Sequence, residues 1–286
     1  MTRRLALQPC VLKTLLALLP CLLLPLAGWG QIQLLANEQS QTVFSGEARS
    51  VRASFYNPND RIAEVSLSTQ LYQLSSTTAI PLGKPAFWKK LQVLPGQTVL
   101  ECNLLTFPSV QGETHFLVQW VDGQNKVLGN TQIMVYPTNL LKALNPLAGD
   151  KPLGVFDPQN RIKITLKALS IEMEDLEDRG IENFSGKLAL IAPGSAAEQS
   201  PEYRAGKIAL LAKSGVAVVW IQRPHGPKPE LEPAVYPVRI GQGAVTIVQS
   251  RAISNFAENP QAQLNLIRAA ELALKPDQLT LPLLQP

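Results

Sequence analysis

Thiols, imidazoles and excess charge are all scarce in this chain. Of its 286 residues, three are cysteine, two are histidine, 6% are aromatic and 17% are charged. Cys10 and Cys21 fall within the first 30 residues, so Cys102 stands alone beyond them and no internal disulfide is expected. Cys102 has no basic group or turn close in sequence to lower its pKa, and Leu100 and Leu104 share its face in a strand pattern, which reads as a buried structural thiol. His115 has no His, Asp or Cys at metal-ligand spacing, and no metal or cofactor is expected. The formal charge of +4 comes from 26 basic and 22 acidic residues, yet Arg3, Arg4 and Lys13 belong to a first stretch of 30 residues with no acid at all. The remainder is close to neutral, so polyanion binding loses its main support and no nucleic-acid partner is expected. What the chain does have is hydrophobic content, 45% of all residues. That excludes a disordered tail, a collagen-like repeat and a small disulfide scaffold, and the length leaves room for about two domains.

The amino terminus has the three parts of a secretory signal. Arg3 and Arg4 form the positive end, residues 11–26 form an apolar stretch, and Gly28-Trp29-Gly30 offers small residues at the cleavage-defining positions, so residues 1–30 are expected to be removed after Gly30. Pro20 and Pro25 break the run, which lacks the roughly 20 uninterrupted apolar residues a span requires. No second run of that length follows. The expectation is a periplasmic or secreted protein with no stable membrane span after cleavage.

Residues 31–136 alternate apolar and polar positions, the period of strands with one buried face. Val51, Ala53 and Phe55 form one set; Val65, Leu67 and Leu71 a second; Leu100, Cys102 and Leu104 a third; Phe116, Val118 and Trp120 a fourth; Ile133 and Val135 a fifth. Asn57-Pro58-Asn59-Asp60 reads as closing a hairpin, Pro95-Gly96 as a corner and Asp122-Gly123 as the start of another tight connection. This pattern resembles the Ig-like modules of bacterial exported proteins, without their antibody relatives' paired cysteines, and implies an all-β Ig-like sandwich. Trp88 with Lys89 and Lys90 offers a small basic-aromatic patch, though a strand residue flanked by solvated lysines accounts for it as well.

Residues 137–151 contain Asn145-Pro146 and Gly149-Asp150, lack sustained alternation and read as a linker. From 152 to 275 strands and helices alternate. Leu153-Gly154-Val155-Phe156-Asp157 is a short buried strand, and Ile162, Leu166 and Leu169 recur at helical spacing. Residues 171–176, 187–192, 216–221 and 244–248 supply further strands. Ser200-Pro201-Glu202 and Asn259-Pro260 each place a capping residue before a proline at the first helical position. Ile208, Leu211 and Ala212 face inward from the first of these helices, and Leu266, Ile267, Ala270 and Leu274 from the second. The order implies an α/β unit with a flavodoxin-like open parallel sheet covered on both sides, and a tail over 276–286.

Leu153-Gly154-Val155-Phe156-Asp157, the run from Phe184 to Pro193, and Gly241-Gln242-Gly243-Ala244-Val245 before Asn259-Pro260-Gln261 carry a resemblance to the class I glutamine amidotransferase-like fold, in its divergent exported form. The resemblance implies a catalytic cysteine on a strand-to-helix turn, activated by histidine and a carboxylate. No cysteine follows Cys102, so that triad cannot be assembled and no catalytic residue is assigned. Ser195 follows the third strand, but Pro193 and Ala197 stand where a nucleophile elbow needs glycine, and His225 lies in a proline-rich loop. Glu172, Glu174, Asp175, Glu177 and Asp178 lack the internal glycine turn of a cation loop and read as a solvated strand end. Gly241-Gln242-Gly243 lacks the lysine and hydroxyl residue of a phosphate loop and reads as a tight turn. Open parallel sheets bind ligands beyond the carboxyl ends of their strands, which nominates Asp157, Gly194, Ser195, Arg223 and His225 as crevice residues. Two readings follow: a non-catalytic exported cell-envelope protein acting as a binding or assembly module for an unknown envelope protein or small ligand, or a serine hydrolase or amidotransferase-like enzyme using Ser195 and His225.

Overall fold

Three sheets organise the computed structural model, which describes residues 32–36, 40–194, 201–222, 234–249 and 252–275. The expected signal at 1–30 and the tail at 276–286 lie outside the described residues. The first sheet joins β1 (Gln33–Leu35), β3 (Ala48–Tyr56) and β6 (Thr98–Thr106), all antiparallel, with β3 in the middle. The second has five strands in the order β2 (Gln41–Phe44), β8 (Val127–Tyr136), β7 (Thr114–Val121), β4 (Ala63–Leu74) and β5 (Ala79–Val93). It is mixed, because β2 runs parallel to β8 while the other pairs are antiparallel.

The third sheet has six strands in the order β10 (Met173–Asp175), β9 (Leu153–Phe156), β11 (Leu188–Ile191), β12 (Ala217–Gln222), β14 (Gly243–Gln249) and β13 (Ala234–Ile240). Five run parallel and β13 returns antiparallel on β14 through Gly241 and Gln242. The helices are α1 (Leu144–Ala148), α2 (Arg161–Ala168), α3 (Leu176–Arg179), α4 (Pro201–Lys213) and α5 (Pro260–Leu274).

This architecture corrects the expected split into an all-β Ig-like sandwich and a flavodoxin-like parallel sheet. What forms instead is a mostly β chain with one antiparallel and two mixed sheets and a few helices. The parallel pairing of β2 with β8 and the antiparallel edge strand β13 both depend on partners distant in sequence or on a hairpin that periodicity does not reveal. The two halves also meet: α5 lies against β2. Residues 140–148, expected as part of a linker, form a 3-10 turn and α1, and bury Leu141, Leu144 and Ala148 in the same cluster as α5.

One turn assignment changes meaning, the expected hairpin at residues 57–60, while Pro95-Gly96 forms a corner as expected. Asn57-Pro58-Asn59-Asp60 and Pro95-Gly96 carry the chain between sheets, from β3 to β4 and from β5 to β6, and neither closes a hairpin. Asn57, fully buried, ties the two connections together. Its side-chain amide donates to the carbonyls of Arg61 (2.8 Å) and Val93 (2.9 Å), and its backbone exchanges bonds with Gln97 and Gly96. Asp122-Gly123 does open the β7–β8 hairpin, with Asp122 Oδ1 accepting from the amides of Gln124 and Lys126.

Strand β6 turns the opposite face inward from the one expected. Leu100 and Leu104 are 60% and 69% exposed and Cys102 is exposed, while Asn103 is buried and Val99 and Leu105 pack on the core. Side chains alternate with period two, so a strand with apolar residues on both faces can be read in either register. The core between the first two sheets is centred on Trp120, which meets Phe55 edge-on at 5.6 Å and Trp88 at 5.3 Å and donates from Nε1 to Thr131 Oγ1 at 2.9 Å. Trp88 thus packs partly buried against this core; Lys89 lies over its ring, 5.0 Å from the centroid, and pairs with Glu101.

The third sheet is apolar on both faces, as a sheet covered by helices on each side must be. Leu153, Val155, Leu188, Leu190, Val219 and Ile221 pack under α1, α2 and α5. Ala189, Ile191, Val218 and Val245 pack under α3 and α4 on the other face. Asn259 caps α5 by accepting from Ala262 N at 3.1 Å, with Pro260 in the first turn, as expected. Gly243 lets β14 start hard against the α4–β12 turn: a Cβ there would sit 2.5 Å from the Ala212 carbonyl oxygen and 2.6 Å from that of Val216. Backbone cannot swing aside as a flexible side chain can. Gly243→Ala is therefore expected to cost about 1–3 kcal/mol, whereas Gly206→Ala, in α4 with nothing within 4 Å of the new methyl group, is expected to stabilise by roughly 0.5–1 kcal/mol. Urea midpoints of the two variants check both signs.

Candidate functional site

Strand β9 ends at Phe156, and the next residue, Asp157, has 1% of its surface exposed. The chain turns over Asp157 to Asn160, whose amide bonds to the Asp157 carbonyl, and enters α2 at Arg161. Asn160 sits in the left-handed region and makes no side-chain cap. Asp157 caps the helix in its place. Its Oδ2 accepts from the amides of Ile162 (2.6 Å) and Lys163 (3.1 Å) in the first turn, where donors have no intrahelical partner.

Lys163 then crosses to the next strand. Its side chain is 3% exposed, and Nζ donates to Asp175 Oδ2 at 2.6 Å and to Glu177 Oε1 at 2.5 Å. Asp175 closes β10 and caps α3 by accepting from Glu177 N at 3.0 Å through its other oxygen. Glu177 Oε1 also accepts from the backbone amide of Asp157 at 2.9 Å. One closed network thus joins the carboxyl ends of β9 and β10 to the starts of α2 and α3. Burial works against the Lys163 ammonium, but the hydrogen bonds and charges of Asp175 and Glu177 outweigh it and raise its pKa above 10.5. Burial likewise pushes the Asp175 carboxyl up, and the bonds from Lys163 and the Glu177 amide more than offset this, holding it below its ordinary 3.8.

The acidic run is therefore more than a solvated strand end. Asp175 and Glu177 close on a buried lysine, and Glu174 pairs with Arg179. Sequence reasoning misses Lys163 because its partners lie 12 and 14 residues away and no acid stands one helical turn from it. The weak signal is a lysine with no local partner beside the apolar Ile162. Among the described residues no group of three or more His, Cys, Asp or Glu side chains is arranged to hold a metal ion.

Asp157 stands at a particular place in the sheet. After β9 the chain moves to the face covered by α1, α2 and α5, and after β11 it moves to the face covered by α3 and α4. Neighbouring strands whose connections leave in opposite directions open a crevice between their carboxyl ends. Asp157 and Gly194 mark those two ends, brought together by the bond from Ala192 N to the Phe156 carbonyl at 2.8 Å. Ser195, Arg223 and His225 lie outside the described residues. The Asp157 carboxylate carries one further feature: Oδ1 is buried and has no hydrogen-bond partner among the described residues. The other such atoms include the hydroxyls of Thr165 and Thr246 and the amide oxygen of Gln263, all neutral, and Nε of Arg49, whose guanidinium pairs with Glu47. His115, by contrast, is half exposed and simply pairs with Glu113 at 3.2 Å.

No family model and no curated protein matches the chain. Solved structures that share part of its shape include a beta-glucosidase from Listeria innocua in complex with glucose, at 16% identity and a TM-score of 0.28, covering 37% of this chain and 16% of that one. They also include the alkylpurine DNA glycosylase AlkC of Pseudomonas fluorescens bound to DNA containing an abasic site analog (9%, TM-score 0.27, 37% of this chain and 30% of that one). A third is the sporulation control protein Spo0M from Bacillus subtilis (14%, TM-score 0.26, 42% and 56%). The chain spans less than two thirds of each of these proteins, and likenesses this shallow carry neither a fold nor an activity to it. They give no support to the Ig-like or amidotransferase-like resemblance.

Replacing Lys163 by methionine keeps the apolar stem and removes the charge that Asp175 and Glu177 share. The expected loss is about 1–3 kcal/mol, toward the lower end of what breaking a buried pair costs, since both carboxylates retain solvent contact. The pH profile follows from the two shifts. Asp175, depressed in the folded chain, contributes stability above pH 3.8 that is lost as pH falls through its lower folded value. Lys163, raised in the folded chain, contributes stability below pH 10.5 that is lost as pH rises through its higher folded value. Urea midpoints measured across both windows are expected to fall at each end in the parent chain, and Lys163→Met is expected to flatten both losses.

Proposed function

We propose that the chain is an exported cell-envelope protein that acts as a non-catalytic binding or assembly module, with its ligand or partner held at the carboxyl ends of β9 and β11. The observation that carries this reading is the Asp157 carboxylate, buried at the point where the sheet's connections diverge, with one oxygen engaged and the other without a donor. A buried charged oxygen left without a donor is costly, and a contact supplied by a ligand removes that cost.

The surrounding chemistry supports holding over reacting. Lys163 is kept as an ammonium by two carboxylates, which removes it as a base or nucleophile. The one thiol beyond residue 30, Cys102, sits on β6 in a different sheet. Export rests on the composition of residues 1–30, basic at the start, then apolar, then small. Among the described residues no helix is long and apolar enough to cross a membrane, which agrees with the absence of a helical span there.

The purified chain and its Ser195→Ala and His225→Ala variants are expected to show the same background rate on generic ester and amide substrates. Hydrolysis by the parent chain that either substitution abolishes would overturn the non-catalytic reading. Fractionation of cells expressing the full sequence is expected to recover it in the envelope or medium, shortened by about 30 residues as a cleaved signal requires.

A further inference from the structure

We infer that the crevice between β9 and β11 recognises a small ligand through a primary ammonium group, with Asp157 Oδ1 as the acceptor; this rests on the binding-module reading above. A carboxylate is a two-ended acceptor. Asp157 spends Oδ2 on the amides of Ile162 and Lys163 at the start of α2, which leaves Oδ1 for another donor. Among the described residues nothing donates to it.

The local charge selects the kind of donor. Asp157, Asp175 and Glu177 surround a single ammonium, that of Lys163, whose bonds go to Asp175 and Glu177 and not to the Asp157 side chain. The Arg204 guanidinium lies over the neighbouring Phe156 ring and Lys167 acts on Asp175, so the preference for a cationic donor over a neutral one rests on the Asp157 oxygen itself, a charged acceptor. A metal ion is a poorer complement, because both Asp175 oxygens and Glu177 Oε1 are engaged by Lys163 and backbone amides, and among the described residues no group of three or more candidate ligands is arranged to hold one. The N-terminal amides of α2, which elsewhere attract anions, are already occupied by Oδ2.

The test follows the amide signals of Asp157, Ile162 and Lys163 by nitrogen-15 NMR on the full chain during titration with ethanolamine, ethylene glycol and acetate. Ethanolamine is expected to shift these signals saturably, with ethylene glycol and acetate far weaker. Asp157→Asn retains an oxygen to accept from Ile162 and Lys163, so it keeps the helix start, and it is expected to weaken ethanolamine binding by about tenfold or more. The inference falls if ethanolamine leaves the signals unmoved, if Asp157→Asn binds it as tightly as the parent, or if ethylene glycol matches it. In the last case the crevice still binds and only the ammonium assignment is lost. The comparison of probes on the parent chain holds whether or not the variant folds, and the hydrolysis assay judges the non-catalytic reading separately.

Discussion

A buried lysine with nowhere local to discharge its cost sets the arrangement of the α/β half. Removing an ammonium from water is expensive, and the expense is recovered only where opposite charges are held at bonding distance by rigid elements. Lys163 meets that condition because β10 and α3 deliver Asp175 and Glu177 to it from across the sheet edge. The same two residues serve the backbone, Asp175 by capping α3 and Glu177 by accepting from the Asp157 amide. The network therefore positions the ends of two strands and the starts of two helices together. A three-residue edge strand such as β10 has little hydrogen-bond energy of its own, and its place beside β9 depends on that anchoring.

The first half is organised by a different constraint, a core shared between two sheets whose connecting turns are tied together by one buried polar residue. Asn57 fixes both inter-sheet connections at once, and Trp120 fills the space between the layers with its indole nitrogen satisfied by Thr131. At the far end of β8, Tyr136 donates to Glu113 at 2.9 Å. Burial, then the bond to Glu113 and its charge, push the phenol up to about 12, against the opposing charge of Arg268 on α5. Helix α5 also lies against β2, so the two halves meet there as well.

How far the sequence can be read depends on how local each determinant is. Strands with one apolar face, such as Val51-Ala53-Phe55 and Phe116-Val118-Trp120, are legible because alternation states burial directly, and all six residues are buried. Helix α5 is legible from Asn259-Pro260 and its apolar stripe. Strand β6 is not, since leucines on both faces leave alternation ambiguous. Turn residues reveal that the chain bends at 57–60 and 95–96 but not which strands flank the bend in space. The parallel β2–β8 pair and the β13–β14 hairpin, which together defeat the expected fold class, are choices of partner and leave no periodic trace. Even Gly154, visible as a glycine in an apolar strand, cannot announce that the Phe184 ring takes the space of its missing side chain, where a Cβ would sit 2.8 Å from Cζ. Of the candidate site, Asp157 is legible as an acid at a strand end, whereas Lys163 requires the tertiary structure.

The identity of residue 157 separates folding from binding. Capping α2 needs one acceptor oxygen, which an asparagine would supply, and Asp157 uses only Oδ2 for it. Neutralising Lys163 needs carboxylates, but Asp175 and Glu177 already provide them, and the Asp157 side chain makes no bond to Nζ. Among the described residues the second oxygen has no donor, and it adds the penalty of a buried acceptor left unpaired. A group that costs stability, has no donor among the described residues and stands where two strand connections part is the ground on which the proposed binding site rests.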